Sequence, residues 1–322
     1  MTVDNATLRK SEFQSVAETV GFCRSLGATL ITLSGKDRAS FLHNLCTADI
    51  KGLAPGDGCE LFLTDVRGKT IGFGHAFADS ESIILSTAAD QADILIPHLN
   101  RYLIREDVQF FDQSGNWQQW ALCGPQAESF LKEKMGLQIP AKNLSHQTAT
   151  LEGITLHCCR TDFFEYPGFL LQIESTDCEK LLATFTSVAA DCDSSVFEFL
   201  RVKAGSPIFG VDITPRNFPQ EIDRDAKAIS FNKGCYLGQE TIARIDALGQ
   251  VQQLLRQLKF ITINDIPLTG TVLEVDGKKA GHITSVSRDP TNDQVAALGM
   301  VRRAHATAGT QLACPSGIAE VC

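Results

Sequence analysis

The sequence contains no apolar run of about 18 residues, the length a helix needs to cross a bilayer, so no membrane span is expected. Its opening, MTVDNATLRKSEFQ, lacks the basic start and apolar stretch of a secretory signal, which leaves the cytoplasm as the expected compartment. Excess positive charge is missing as well. There are 29 Lys and Arg against 38 Asp and Glu, a formal net charge of −9. Nonspecific nucleic-acid binding draws on positive charge, so no direct nucleic-acid partner is expected, although a local basic patch can still hold a small anion. The 11 cysteines include no Cys-x-x-Cys pair, and the adjacent Cys158 and Cys159 are poorly spaced for joint ligation, so no metal site is expected. In a reducing compartment such thiols behave mostly as small hydrophobes. No phosphate-binding loop occurs. Gly72 and Gly74 make G-x-G, but within strand-like sequence and with no helix after it. The seven histidines form no defensible Ser/His/Asp order.

What is present is ordinary globular material, with 43% hydrophobic and 21% charged residues over 322 positions, enough for two or three domains. ATLITLSG (28–35) reads as a strand, and KDRASFLHNLCTADI follows with Phe41, Leu42 and Leu45 at helical spacing, capped by Ser34 or Asp37. CELFLTDVRGKTIGFGHAF reads as two strands around the turn 65–69, SIILST as a third, and AADQADILIPHLNRYLI as a helix in which Pro97 implies a kink or a late start. DVQFFD closes the unit. Strands WQQWALCG, ITLHCCR and GFLLQIE then alternate with helices PQAESFLKEKMG, DCEKLLATFTSVAA and SSVFEFLRVKAG. Hairpins mixed with helices indicate antiparallel α+β layers rather than a doubly wound parallel sheet. After Gly249 the chain alternates apolar and polar residues between turns, which reads as a small all-β sandwich or barrel. The expected division is 1–249 and 250–322.

Four stretches have residue types suited to chemistry. In FNKGCYLGQETIAR (231–244), a helix beginning after the turn would put Cys235 at or just before its N-terminus, where the dipole and Lys233 favour a thiolate. A buried structural cysteine is the commoner reading of the same residues. In FPQEID (218–223), Glu221 beside Gln220 suits a heterocycle with adjacent N–H donors, or is a solvated loop acid. LRVKAGSPIFGVD (200–212) is broken by Gly205, Pro207 and Gly210, and either lines a pocket or merely turns. Arg67 and Lys69 on the tip of the first hairpin suit a carboxylate or phosphate, or are solvated.

In this order these segments resemble the YgfZ family of folate-binding proteins, within the superfamily of the glycine-cleavage T-protein, an aminomethyltransferase. KGCYLGQE (233–240), with Arg244 after it, matches the family signature K-G-C-[FY]-x-G-Q-E. SGKDRASFLHNLCTADI, LRVKAGSPIFGVD followed by PQE, and AGHITSVSRDPTNDQVAALGMVRR match the N-terminal, middle and C-terminal patterns, so the likeness runs over essentially the whole chain. The resemblance implies two ferredoxin-like α/β lobes, the first discontinuous, a C-terminal β-barrel, and tetrahydrofolate in a central hole. It implies a role in iron–sulfur cluster assembly or repair that reaches tRNA-modifying enzymes indirectly, with cluster-assembly factors or client proteins as partners. It also implies a functional Cys235 assisted by Lys233, and folate contacts among Arg67, Phe77, Lys203, Glu221, Gln239, Glu240 and Arg244.

The aminomethyltransferase pattern is not fully kept. Lys203 stands near the position of a glutamate that reads the pterin ring, and a lysine cannot accept those hydrogen bonds. The paired aspartates of that pattern fall at about Gly72 and Phe73, and a ligand-facing tyrosine at about Phe77. The acid expected near the reactive folate nitrogen is Asp90 or Asp93. Beside the folate-dependent accessory role stand two alternatives: a one-carbon transferase of T-protein type, and a scaffold that no longer binds folate.

Overall fold

A computed structural model describes residues 5–139, 141–249, 251–292 and 294–322. The first lobe is a five-stranded antiparallel sheet in the spatial order Gly58–Thr64, Thr70–Ala78, Ser82–Ala88, Ala28–Ser34, Gln109–Asp112. Strand periodicity of two sends alternate residues to opposite faces. Leu33, Leu61, Leu63, Ile83 and Leu85 face helices Arg38–Leu45 and Ala92–Asn100, which cover them. Phe62 and Phe73 point the other way, with ring centroids 4.8 Å apart, and bury against Phe209, Tyr236 and Ile242 from much later in the chain. The first lobe is therefore discontinuous: the segment 207–248 returns to pack on it.

The second lobe is also assembled from separated pieces. Its six-stranded sheet runs Ala190–Asp191, Gly21–Cys23, Trp117–Cys123, Gly168–Glu174, Ile154–Thr161, His146–Leu151. The strand Gly21–Cys23 comes from before the first lobe, after the N-terminal helix Asn5–Glu18, and neither element announces itself in the local residue pattern. One face, with Trp120, Leu122 and Phe169, packs on helix Cys178–Thr186 and the turn Phe130–Lys134, which is a π-helix rather than a continuation of the expected α-helix. The other face meets helix Ser194–Lys203 through Phe197, Phe199 and Leu200.

The C-terminal unit resolves the choice between sandwich and barrel. Six strands, from Gln253–Ile263 to Gly317–Val321, close into a barrel around Leu258, Leu273, Ile283 and Val301. It is tied to the body by a buried ion pair. Arg201 Nη1 lies 2.9 Å from Asp212 Oδ2, and Arg201 also donates to Ser206 O and to Ser285 Oγ of the barrel. Asp212 Oδ1 accepts from the barrel hydroxyls Thr284 and Ser285 at 2.6 and 2.7 Å. Arg201 is 2% exposed and Asp212 1%, and every charge-bearing oxygen of Asp212 has a partner, which is the condition for tolerating buried charge.

Candidate functional site

Where the two lobes and the 207–211 segment meet, they enclose a cavity of about 510 Å³. The first sheet contributes Phe73 and His75 from one strand and Ser86 from the next. Gln119 and Leu170 come from the second sheet, Phe163 and Phe164 from its connecting loop, and Phe209 from the returning segment. The walls are thus largely aromatic, with a few polar groups. Gly74 in the wall is fixed by crowding, since a Cβ there would lie 2.2 Å from Ser86 O. Burial holds the His75 imidazole below its ordinary pKa, outweighing the opposing pull of Glu60, so the ring is neutral at pH 7. Segment 207–211 keeps its position because Asp212 Oδ2 accepts from Ile208 N at 3.0 Å while paired to Arg201.

Of the expected folate contacts, Asp90 lines this cavity, held in the left-handed region at φ 60°. Asp93 lies on the exposed side of helix Ala92–Asn100 and is not part of the cavity wall. The others lie outside the wall, each for a physical reason. Phe77 is 1% exposed and packs edge-on against His146 in the core. Lys203 is turned to Glu165, Nζ to Oε1 2.8 Å. Glu221 is buried and spent on local structure, since its Oε2 accepts from Asn217 Nδ2 at 2.9 Å and from Phe218 N at 3.2 Å, closing the short helix Pro219–Ile222. Arg67 is exposed at the hairpin tip, Gln239 is half-buried, and Glu240 and Arg244 are exposed on helix Gln239–Leu248.

The KGCYLGQE segment forms a second cluster on the first lobe. Lys233 is 9% exposed, and its Nζ donates to the carbonyls of His43, Cys46 (2.8 Å) and Ala48 (2.7 Å), at the C-terminal end of helix Arg38–Leu45. All three ammonium donors are used on backbone oxygens, one in the last turn of the helix and two just beyond it. Burial lowers the Lys233 pKa, and the same ammonium sits 4.8 Å from the Tyr236 ring. Leu237 N donates to Asn44 O, and Thr64 Oγ1 to Leu237 O at 2.6 Å. Gly238, at φ 80°, abuts the hairpin tip so closely that a Cβ would meet Asp65 O at 2.6 Å. This corrects the expected placement of Cys235. The helix starts only at Gln239, with Gly238 as its cap, so the thiol stands four residues before it, exposed, on a loop stretched between the Lys233 anchor and the Gly238 turn. The first-turn N–H groups are therefore not what addresses the sulfur.

The two clusters are coupled by packing, since Phe73 and Phe209 of the cavity wall share one apolar core with Tyr236 and Ile242. Sequence reasoning missed His75, Gln119, Phe73 and the Phe163–Phe164 pair as wall residues. The G-x-G at Gly72 and Gly74 was the available signal for the first strand; nothing local marks the others.

A family model described as the GCVT N-terminal domain matches residues 5–233. The chain belongs to that family. Within it, the chain resembles YgfZ-type proteins: it is 28% identical over 248 residues to a tRNA-modifying protein YgfZ of Yersinia enterocolitica, covering 76% of this chain and 72% of that one. A putative chloroplastic transferase of Arabidopsis thaliana is 29% identical over 286 residues, which are 87% of this chain but 64% of the relative, so the chain spans under two thirds of that protein. An aminomethyltransferase of Streptomyces avermitilis is 24% identical over 87% of the chain and 77% of its own length. The crystal structure of glycine cleavage system aminomethyltransferase T from Bartonella henselae superposes with a TM-score of 0.85 at 20% identity, over 97% of this chain and 87% of that one. The fold is that of the T-protein: two lobes with ferredoxin-like sheets and a closed six-stranded barrel. No helix among the described residues is long and apolar enough to cross a membrane.

Proposed function

We propose that this chain binds a tetrahydrofolate in the central cavity and serves as an accessory protein in iron–sulfur cluster assembly or repair, acting on tRNA modification only indirectly, in the cytoplasm. The observation that carries the reading is the cavity, whose volume of about 510 Å³ lies within the usual range for small-molecule sites. A reduced pterin is a flat heterocycle with a hydrogen-bonding edge. Phe73, Phe209 and Phe163 offer faces for it, and His75, Ser86 and Gln119 add polar groups to the wall. The residues present therefore fit the group. Folate bound there would supply its one-carbon carrier chemistry, while the chain supplies an aromatic slot with a few polar groups. The expected partners are cluster-assembly factors or client proteins, and the exposed Cys235, tethered by Lys233, is the thiol offered to them. Clusters would be cargo rather than residents, since the described residues hold no grouping of three or more His, Cys, Asp or Glu suited to a metal.

The test is an anaerobic calorimetric titration of the protein with tetrahydrofolate. Micromolar binding is expected. No binding would remove folate from the proposal and leave a scaffold. Cys235→Ala should keep folate affinity and lose complementation of a strain lacking the protein; full complementation would refute the role given to the thiol. A second reading, transfer of an aminomethyl group, draws on Asp90 in the cavity wall. Against it stands Lys203, paired to Glu165 where the T-protein pattern has a pterin-reading acid. Formation of methylene-tetrahydrofolate from an aminomethyl donor would favour that second reading.

A further inference from the structure

The described residues of the cavity wall carry one formal charge, and it is negative, on Asp90. The other polar side chains there include Ser86, Thr87, Gln91 and Gln119, all neutral, and no lysine or arginine is among the lining residues. His75 is the one wall residue able to add a cation, and its surroundings do not favour one. Glu60 stands directly opposite it on the neighbouring strand, so the two side chains share a face of the sheet. Glu60 is only 1% exposed, and Arg224 holds both of its oxygens, Oε1 through Nε and Oε2 through Nη2 at 2.5 Å. The carboxylate is thereby engaged by a guanidinium and is not available to an imidazolium. Asp162 and Lys227, which also act on the ring, pair with each other at 2.6 Å. Burial then keeps the imidazole neutral at pH 7. Cations on segments leading into the wall are engaged in the same way, Lys203 by Glu165 and Arg201 by Glu198 and Asp212.

Tetrahydrofolate joins an uncharged ring system to a glutamyl tail that carries carboxylates. Moving a carboxylate out of water is costly unless a cation or a set of donors replaces its hydration. A largely aromatic wall with one acid and no cation does not provide that replacement, and Asp90 adds like-charge repulsion. The rings meet no such penalty, since flat apolar faces and neutral polar groups suit them. We infer that the cavity selects its ligand by the uncharged rings and leaves the anionic tail in solvent, so that added glutamates contribute no affinity. This rests on the folate reading above and narrows it: the ligand class is reduced folates of any glutamate number, recognised without an anion subsite.

The experiment is anaerobic calorimetry of the wild-type protein with tetrahydrofolate and with its pentaglutamate, each at about 50 and about 500 mM sodium chloride. Every added glutamate brings another carboxylate, so a cation that held the tail would tighten binding of the longer ligand and lose that gain as salt screens it. The pentaglutamate should bind no more than about threefold tighter than tetrahydrofolate, and the affinity for tetrahydrofolate should fall by less than about twofold between the two salt concentrations. A pentaglutamate bound more tightly than that, or a steeper loss with salt, overturns the inference and leaves folate binding in place. Failure of the protein to bind either ligand overturns the folate reading, and the inference with it. The comparison uses the wild-type chain throughout, so a variant that fails to fold cannot confuse the outcome.

Discussion

Replacing Lys233 by methionine keeps an unbranched apolar side chain of nearly the same length and removes the three donors. The structure places that amine against the carbonyls of His43, Cys46 and Ala48, in a site 9% exposed. Hydrogen bonds to a charged group contribute about 1.5–3 kcal/mol each, and the loss also uncaps a helix C-terminus. Against this stands the desolvation of the ammonium, several kcal/mol, which the variant no longer suffers. The balance for breaking a buried ionic contact from one side is about 3–5 kcal/mol, and the lower part of that range applies here because the acceptors are neutral carbonyls near the surface of the lobe. At roughly 2 °C per kcal/mol for a chain of this size, the melting temperature should fall by about 6–8 °C. Thermal denaturation of ligand-free wild type and Lys233→Met measures this directly. A variant that melts within about 1 °C of wild type yet fails to complement would refute the anchor reading and return Lys233 to a chemical role.

Other charged groups make equally direct tests. Lys203→Glu should set two carboxylates against each other at position 165 and cost about 1 kcal/mol in urea denaturation near pH 7, and adding Glu165→Lys should restore it; a double variant no better than the single one would show that the pair is not coupled. Asp212→Ala should cost about 1–3 kcal/mol by leaving Thr284, Ser285 and Ile208 N without their acceptor and loosening the barrel from the body, while Arg201 keeps its pair with Glu198; no measurable loss would contradict the tie. Asp225, whose Oδ1 is buried without a partner among the described residues, has its pKa pushed up to about 6 by burial and then by Asp223 and Asp246. The folded state therefore holds this proton more tightly than the unfolded chain, whose pKa is near 3.8, so stability is full below that value and falls as pH rises through about 6. Relative to Asp225→Asn, wild type should lose about 1–3 kcal/mol between pH 4 and pH 7, and parallel pH profiles would count against it.

Local structure was largely legible in the sequence. Alternation of apolar and polar residues marked the barrel strands, and short apolar β-branched runs marked most strands of the two sheets, although His146–Leu151 was not legible. Helix Arg38–Leu45 was legible from Phe41, Leu42 and Leu45, which do face the core, although Asp37 makes no side-chain cap and instead accepts from Asp107 N. Pro97 neither ends nor delays its helix: Ala92–Asn100 is one short helix in which an exposed proline forfeits one intrahelical bond. The N-terminal helix and the strand Gly21–Cys23 were not legible. Three residues cannot display a period, and their pairing partners lie about a hundred or more residues away, at Trp117–Cys123 and Ala190–Asp191.

By itself the sequence determined the family signature at 233–240, the α+β class and the all-β end of the chain, because these depend on residue order and short periods. Only the tertiary structure decided what the signature residues do. Lys233 is an anchor on a helix end 187 residues upstream of it at Cys46, and Cys235 is exposed beyond the helix, not at its start. It alone put Asp90 in a cavity wall with residues of both lobes and bound Lys203 to Glu165. The reason is physical. A cavity wall is composed of side chains from strands far apart in the chain, and which way each points is set by sheet register and lobe packing, neither of which is written in any short stretch of sequence.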